Sequence, residues 1–219
     1  LLHQRDRTLR QGLRETRSGL ITAERTESGA ARCTPPDGLQ LDITSLVKAH
    51  ASDNDNAAVA ASIEPLRHFT GDINISLPCG RYYLTGLGGD GQATIRAQGH
   101  VALFIDGNVQ LERRLEIIAE GTARVSVVVN GAFNVARGGL ALGQLSDTRH
   151  LLMVARQVHL ESEGEGVIGG TLYAPTNELL VKQKLSVAGA MYVGSGRLFG
   201  ETAVSYGPSV TVAADSCGT

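Results

Sequence analysis

Val101-Ala-Leu-Phe-Ile-Asp-Gly107 and, 24 residues further on, Val125-Ser-Val-Val-Val-Asn-Gly131 are two versions of one unit: an apolar run, a polar side chain, then glycine. The unit continues as Leu151-Leu-Met-Val-Ala155, Gly170-Thr-Leu-Tyr-Ala-Pro175 and Gly189-Ala-Met-Tyr-Val-Gly194, the last two aligned at 19 residues with Tyr173 on Tyr192. Short apolar runs bounded by Gly and by Asn or Asp, with no 3.6-residue period, read as strands. Units of this length are too small to bury their own inner faces. A repeat of this spacing therefore marks coils stacked along one axis.

A second short run follows each turn: Val109-Gln-Leu111, Phe133-Asn-Val135, Val158-His-Leu160 and Leu179-Leu-Val181. Alternation sends one residue inward and the next outward, so each coil holds two or three strands and adjacent coils stack about 4.8 Å apart. The expected fold is all-β, a right-handed parallel β-helix of about five coils over residues 76–212, with inward residues forming ladders. Phe104, Val128, Met153, Leu172 and Met191 are assigned to one interior ladder. An antiparallel sandwich is the alternative, since the same alternation serves it.

Residues 1–75 lack this unit. A stacked sheet leaves exposed edges that polymerise unless covered, and this segment is the natural cap. Leu2, Leu9, Leu13 and Leu20, spaced 7, 4 and 7, suggest a basic helix over about residues 3–18 ended by Gly19. Cys33 to Gly38 reads as a loop, Leu39 to Ile43 as a first strand, Ser45 to His50 as a short helix, and Ala57 to Ser62 as a second helix before Pro65. Residues 213–219 form a tail.

Composition limits the roles open to such a chain. It has 219 residues, 42% hydrophobic, and 20 basic against 22 acidic side chains. That balance gives nucleic acid or a charged bilayer no electrostatic hold. Glycine is frequent at 27 residues, while aromatics are 4% with no Trp, so a large aromatic-lined pocket is not expected. No run of 18 apolar residues occurs. Beginning at Leu1-Leu2-His3, the chain reads as a mature or truncated product whose targeting segment lies elsewhere. Cys33, Cys79 and Cys217 have no Cys-x-x-Cys spacing; one disulfide with one free thiol is expected, pinning ends that stacking does not hold, and three unpaired thiols is the alternative.

The motifs that carry chemistry elsewhere are incomplete here. Gly86-Leu-Gly88-Gly-Asp-Gly91 has dinucleotide-loop spacing, but strand-like residues follow where a helix must open. Asp53, Asp55 and Glu64 fall at EF-hand positions 1, 3 and 12, yet Ala57 and Ala58 stand where a ligand and the turn glycine belong. A looser calcium site on Asp53 and Asp55 competes with helix capping. Glu161, Glu163 and Glu165, with Arg156, are the only candidates for glycoside chemistry, which needs two carboxylates about 5 to 9.5 Å apart. They share a Gly-rich turn and read as solvated. The six His residues show no zinc spacing, and His159 is expected to face outward. No catalytic, cofactor-binding or metal-binding residue is assigned.

Leu77-Pro-Cys-Gly-Arg-Tyr-Tyr-Leu84, Val101 to Asn108, Gly169-Gly-Thr-Leu-Tyr-Ala-Pro175 and Gly189-Ala-Met-Tyr-Val193 resemble Gly-rich β-solenoid domains of bacterial, myxobacterial-type envelope proteins and of pilus-assembly-associated proteins. Over residues 40–212 the pattern is loosely similar to the polymer-forming bactofilins. The resemblance implies a non-enzymatic envelope or extracellular module, structural or adhesive, that contacts another copy or another envelope protein, with a homo-oligomer as one form. It implies membrane association only through a segment absent here. A carbohydrate-binding or carbohydrate-active β-helix is the alternative function, and no cofactor is expected.

Overall fold

The computed structural model describes residues 13–15, 20–23, 41–161 and 164–206. Two N-terminal strands, β1 (Leu13–Glu15) and β2 (Leu20–Ala23), precede helix α1 (Ile43–Ala49), helix α2 (Ala60–Ile63) and the 3-10 turns at Asn56–Val59 and Glu64–Arg67. The coils are then built from β3 (Ile73–Leu84), β4 (Leu87–Gly89), β5 (Ala93–Ile105), β6 (Val109–Leu111), β7 (Leu115–Val129), β8 (Phe133–Val135), β9 (Leu140–Leu142), β10 (His150–Val154), β11 (Val158–Leu160), β12 (Glu165–Val181), β13 (Lys184–Leu198) and β14 (Thr202–Tyr206).

Every pairing between successive coils is parallel: β3 with β5, β5 with β7, β7 with β10, β10 with β12 and β12 with β13. The short strands β4, β6, β8 and β11 and the end of β12 stack in a second column. The protein is thus a parallel β-solenoid of about six turns, and the sandwich is excluded. The turn beyond the expected five is the one opened by β3. Its arm Gly80–Leu84 pairs with Val101–Ile105, but Gly80, Arg81 and Tyr83 hide the apolar unit seen in later coils.

One interior ladder runs Tyr82, Leu103, Val127, Leu152, Leu172 and Met191, each in register with the next. Its first five members are buried. Burial of this kind contributes about 1.5–3 kcal/mol per large apolar side chain, and it holds together turns that have little else between them. The expected ladder was right at Leu172 and Met191 and one residue out of step at Phe104, Val128 and Met153. Those three belong to an outer ladder, Tyr83, Phe104, Val128, Met153, Tyr173 and Tyr192. They are nonetheless buried, because Ile43 and Val47 of α1 lie on them. With a helix covering the outer face, both faces of these strands are apolar and alternation no longer tells them apart.

Helix α1 starts where Asp42 accepts hydrogen bonds from the Ser45 amide at 3.0 Å and the Ser45 hydroxyl at 2.6 Å. That cap replaces the strand expected over residues 39–43, of which 39 and 40 lie outside the described residues. The helix is tied down by a side-chain relay. Thr44 donates to Asn130 at 2.6 Å, and Asn130 donates to Asp106 at 2.7 Å. Tyr83 also donates to Asp106, at 2.9 Å.

The expected helix over residues 3–18 is not supported where it is described, since Leu13–Glu15 is a strand. β1 pairs antiparallel with β2, and β2 pairs antiparallel with β14. An edge strand with unpaired backbone groups is a stronger determinant than leucine spacing in a segment this short. Stacking also needs close backbone approach at the corners. Gly170 has φ +148°, and a Cβ there would stand 1.8 Å from the carbonyl oxygen of His150 in the preceding coil.

Candidate functional site

The two ends of the solenoid differ. At the first coil, residues 53–69 finish the sheet. Asn56 treats Tyr83 as a neighbouring strand would: its side chain donates to the Tyr83 carbonyl at 2.6 Å and accepts from the Tyr83 amide at 2.9 Å. The Asp55 amide donates to the Arg81 carbonyl at 2.7 Å, and the Asp55 carboxylate accepts from the Arg81 amide at 2.7 Å. Phe69 bridges to Gly89 on the short column. Below these contacts Ile63, Leu66 and Phe69 close the core. Residues 53–69 thus cover the first coil, α1 lies along the flank, and β2 pairs with β14 at the other end.

Among the described residues the last coil is only partly covered. In the fifth turn the inward residues Leu172, Ala174 and Val181 are fully buried. Their counterparts in the sixth, Met191, Val193 and Leu198, are only partly buried. β14 covers β13 from Leu185 to Gly189. Among the described residues no strand pairs with the far edge of β13 beyond Gly189. Around this edge stand Phe199, 71% exposed, and Tyr206, 68% exposed. Tyr192 stacks on Tyr173, with ring centroids 5.5 Å apart. Arg197 forms an ion pair with Glu178 of the coil below and holds that carboxyl under its ordinary range. Gln183 and Thr202, in the last turns, have buried side-chain polar atoms without partners, a rare state in a finished core.

The third feature is a departure from the coil plan. Where β5 and β7 turn the corner in one to three residues, the fourth coil takes the seven residues 143–149 between β9 and β10. This loop stands over β7 and bounds a polar pocket of about 420 Å3 lined by Glu116, Ile118, Gln144, Ser146, Asp147 and Arg149, among others. Arg149 binds Asp147 through two nitrogens at 2.7 and 2.9 Å and donates to the Gly121 carbonyl. Burial raises the Asp147 carboxyl, but hydrogen bonds from Arg149 outweigh it and the net displacement is downward. Beneath the loop His150 is 1% exposed. Its Nδ1 lies 3.1 Å from the Gly169 carbonyl oxygen, which makes Nδ1 the protonated nitrogen, and Nε2 is buried without a partner. Burial depresses the imidazole below its ordinary value, with Asp147 opposing.

The residues singled out in the sequence are placed as follows. Asp53 pairs with Arg81 at 3.0 Å and Asp55 is engaged by β3, so both serve the cap; Glu64 pairs with Arg67 at 3.1 Å. Glu161 pairs with Lys182 at 3.2 Å and Glu165 with Lys184 at 3.5 Å, each bridging adjacent coils, while Glu163 lies outside the described residues. Arg156 is exposed on a different corner. Leu87–Gly89 is a strand, so no helix opens at the Gly86–Gly91 motif. His159 is half-exposed between buried Val158 and Leu160, facing outward as expected. Cys79 is disulfide-bonded; Cys33 and Cys217 lie outside the described residues. Cys79 lies within β3 of the first coil, where pairing with β5 slips between Pro78 and Gly80.

Sequence reading missed the Asp147, Arg149 and His150 cluster. Its signal was the polar break Gly143 to Arg149 in a region of otherwise short corners. Among the described residues no three His, Cys, Asp or Glu are grouped to hold a metal ion, and no helix is long and apolar enough to cross a membrane.

The sequence model of a family described as a domain of unknown function (DUF7305) matches residues 22–211. No curated protein and no solved structure matches the chain.

Proposed function

We propose that this chain, which belongs to the DUF7305 family of domains of unknown function, is a non-catalytic structural module that joins to a second copy of itself through the C-terminal end of its solenoid. The observation that carries this reading is the half-buried state of Met191, Val193 and Leu198 beside the full burial of Leu172, Ala174 and Val181 one turn below. Apolar side chains at an open sheet edge, flanked by exposed Phe199 and Tyr206, gain most from a partner that adds strands and covers the core. The other end is finished by Asp55, Asn56 and Phe69, so head-to-tail stacking has no free acceptor end. Two C-terminal ends meeting about a two-fold axis make a closed pair and not a filament.

The disulfide at Cys79 supports an extracellular or envelope setting, where such bonds persist. The resemblance to bacterial envelope solenoids points the same way and suggests an adhesive or scaffolding context. A carbohydrate-binding role is the second reading. It rests on the Tyr173 and Tyr192 pair beside a cleft of about 300 Å3 lined by Leu41, Asp42, Thr44, Pro175 and Thr176.

Sedimentation velocity across a concentration series separates these readings. The expected result is a monomer–dimer equilibrium that Phe199→Glu weakens about tenfold or more, the loss of an aromatic anchor. A monomer at every concentration contradicts self-association. Glycan binding lost in Tyr192→Ala, with a monomer throughout, favours the second reading.

A further inference from the structure

We propose that the loop of residues 143–149 is a pH-sensitive latch, closed while His150 is neutral and released when His150 takes up a proton. His150 pairs with Val125 of β7 and Gly170 of β12, and on β7 and β10 its column points inward beside Leu152. With Nδ1–H donated to Gly169, the Nε2 lone pair is buried with no donor to meet it. A proton added there creates an N–H cation with no acceptor, and a buried charge in that state is not tolerated.

The charged groups around the ring leave one way out. On its own loop Asp147 has an oxygen 4.0 Å from Nδ1, and Arg149 is bound to that same carboxylate. On β7 Arg124 adjoins Val125, and Glu116 lies farther off in the pocket wall. β12 carries no ionisable side chain between Val167 and Leu172. An imidazolium therefore moves toward Asp147, away from the apolar interior. Gly143 blocks that movement unless the loop lifts: it has φ +65°, and a Cβ there would stand 2.3 Å from His150 Cε1, so the backbone lies on the ring. Lifting residues 143–149 opens the pocket over Glu116 and Ile118 to larger solutes.

Burial already holds His150 below the ordinary histidine range, with Asp147 and the Gly169 carbonyl pulling upward and Arg149 pushing further down. Release is thus set on the acid side of neutrality. Hydrogen exchange at pH 7.5 and pH 5, corrected for intrinsic rates, tests the latch. Amides 143–149 are expected to exchange at least about tenfold faster at the lower pH, while the corner 106–108 is unchanged. In His150→Phe the difference disappears. Should that variant fail to fold, the titration of His150 followed by NMR in the unaltered chain takes its place: its midpoint must coincide with loop opening. Equal protection at both pH values, or opening that follows a different histidine, overturns the proposal.

Discussion

The imidazole of His50 lies on the ring of Phe104, their centroids 3.8 Å apart and their planes 25° from parallel. This contact fastens the end of α1 to the outer face of the second coil, and it explains why an outward-pointing phenylalanine is buried. Phe104→Ala is expected to destabilise the protein by about 3 kcal/mol, within the range of aromatic truncations. The loss falls on the helix, not on the stack. Denaturant titration combined with hydrogen exchange checks this: amides 43–50 lose protection while those of Leu103 and Val127 keep it.

Asn56 is a side chain standing in for a strand. Replacing it and its neighbour, as Asp55→Ala with Asn56→Ala, removes the side-chain contacts that close the first coil and leaves the Arg81 amide and the Tyr83 amide and carbonyl unpaired, while the amide of residue 55 still donates to the Arg81 carbonyl. Each lost hydrogen bond costs about 1 kcal/mol, a modest total. The larger effect is on assembly, because a copy with two open ends propagates. Negative-stain microscopy of the double variant is expected to show rods or aggregates where the unaltered chain shows discrete particles. Particles of unchanged size count against the cap.

Cys79 ties the first coil to a cysteine elsewhere in the chain. Cys79→Ser, or reduction under native conditions, is expected to lower stability by about 2–4 kcal/mol, as for other disulfides closing long loops. The shift in the urea midpoint measures it. An identical midpoint with and without reductant contradicts the assignment of this bond as a structural tie.

Stability also depends on pH through His150. Its folded-state value lies below the ordinary 6.5, so the unfolded chain binds the extra proton first. Stability is therefore full above about 6.5, falls as the pH drops through that value, and levels off once the folded state also takes up the proton. The melting temperature is expected to fall between pH 7.5 and pH 5, with a shallower fall in His150→Phe. A melting temperature that rises on acidification reverses the sign and the account with it.

The coil repeat was legible because parallel stacking imposes it directly: Val101 aligns on Val125 and Tyr173 on Tyr192, as the 24- and 19-residue spacings indicated. The short columns at Val109, Phe133, Val158 and Leu179 were legible for the same reason. The facing of Phe104, Val128 and Met153 was not, since it depends on a helix about a hundred residues earlier in the chain for Met153. Nor was the strand at Leu13–Glu15, whose pairing is decided by the free edge of β14 through β2. At the candidate site the sequence placed Tyr192 in the repeat, whereas Phe199 and Tyr206 carried no signal. Their exposure at an unfinished end follows from where the stack stops. His150 carried no motif, and its burial arises from the corner glycines Gly143 and Gly170, which let backbone approach the ring and its own carbonyl.

The central claim is that the far edge of β13 receives a second copy. Hydrogen exchange of the unaltered chain at low and high protein concentration tests it most directly. The account predicts that edge-facing amides between Ala190 and Leu198 become protected as concentration rises, while those of β3 at the capped end do not change. Protection of 190–198 that is the same at every concentration, or a gain confined to the β3 edge, would contradict it.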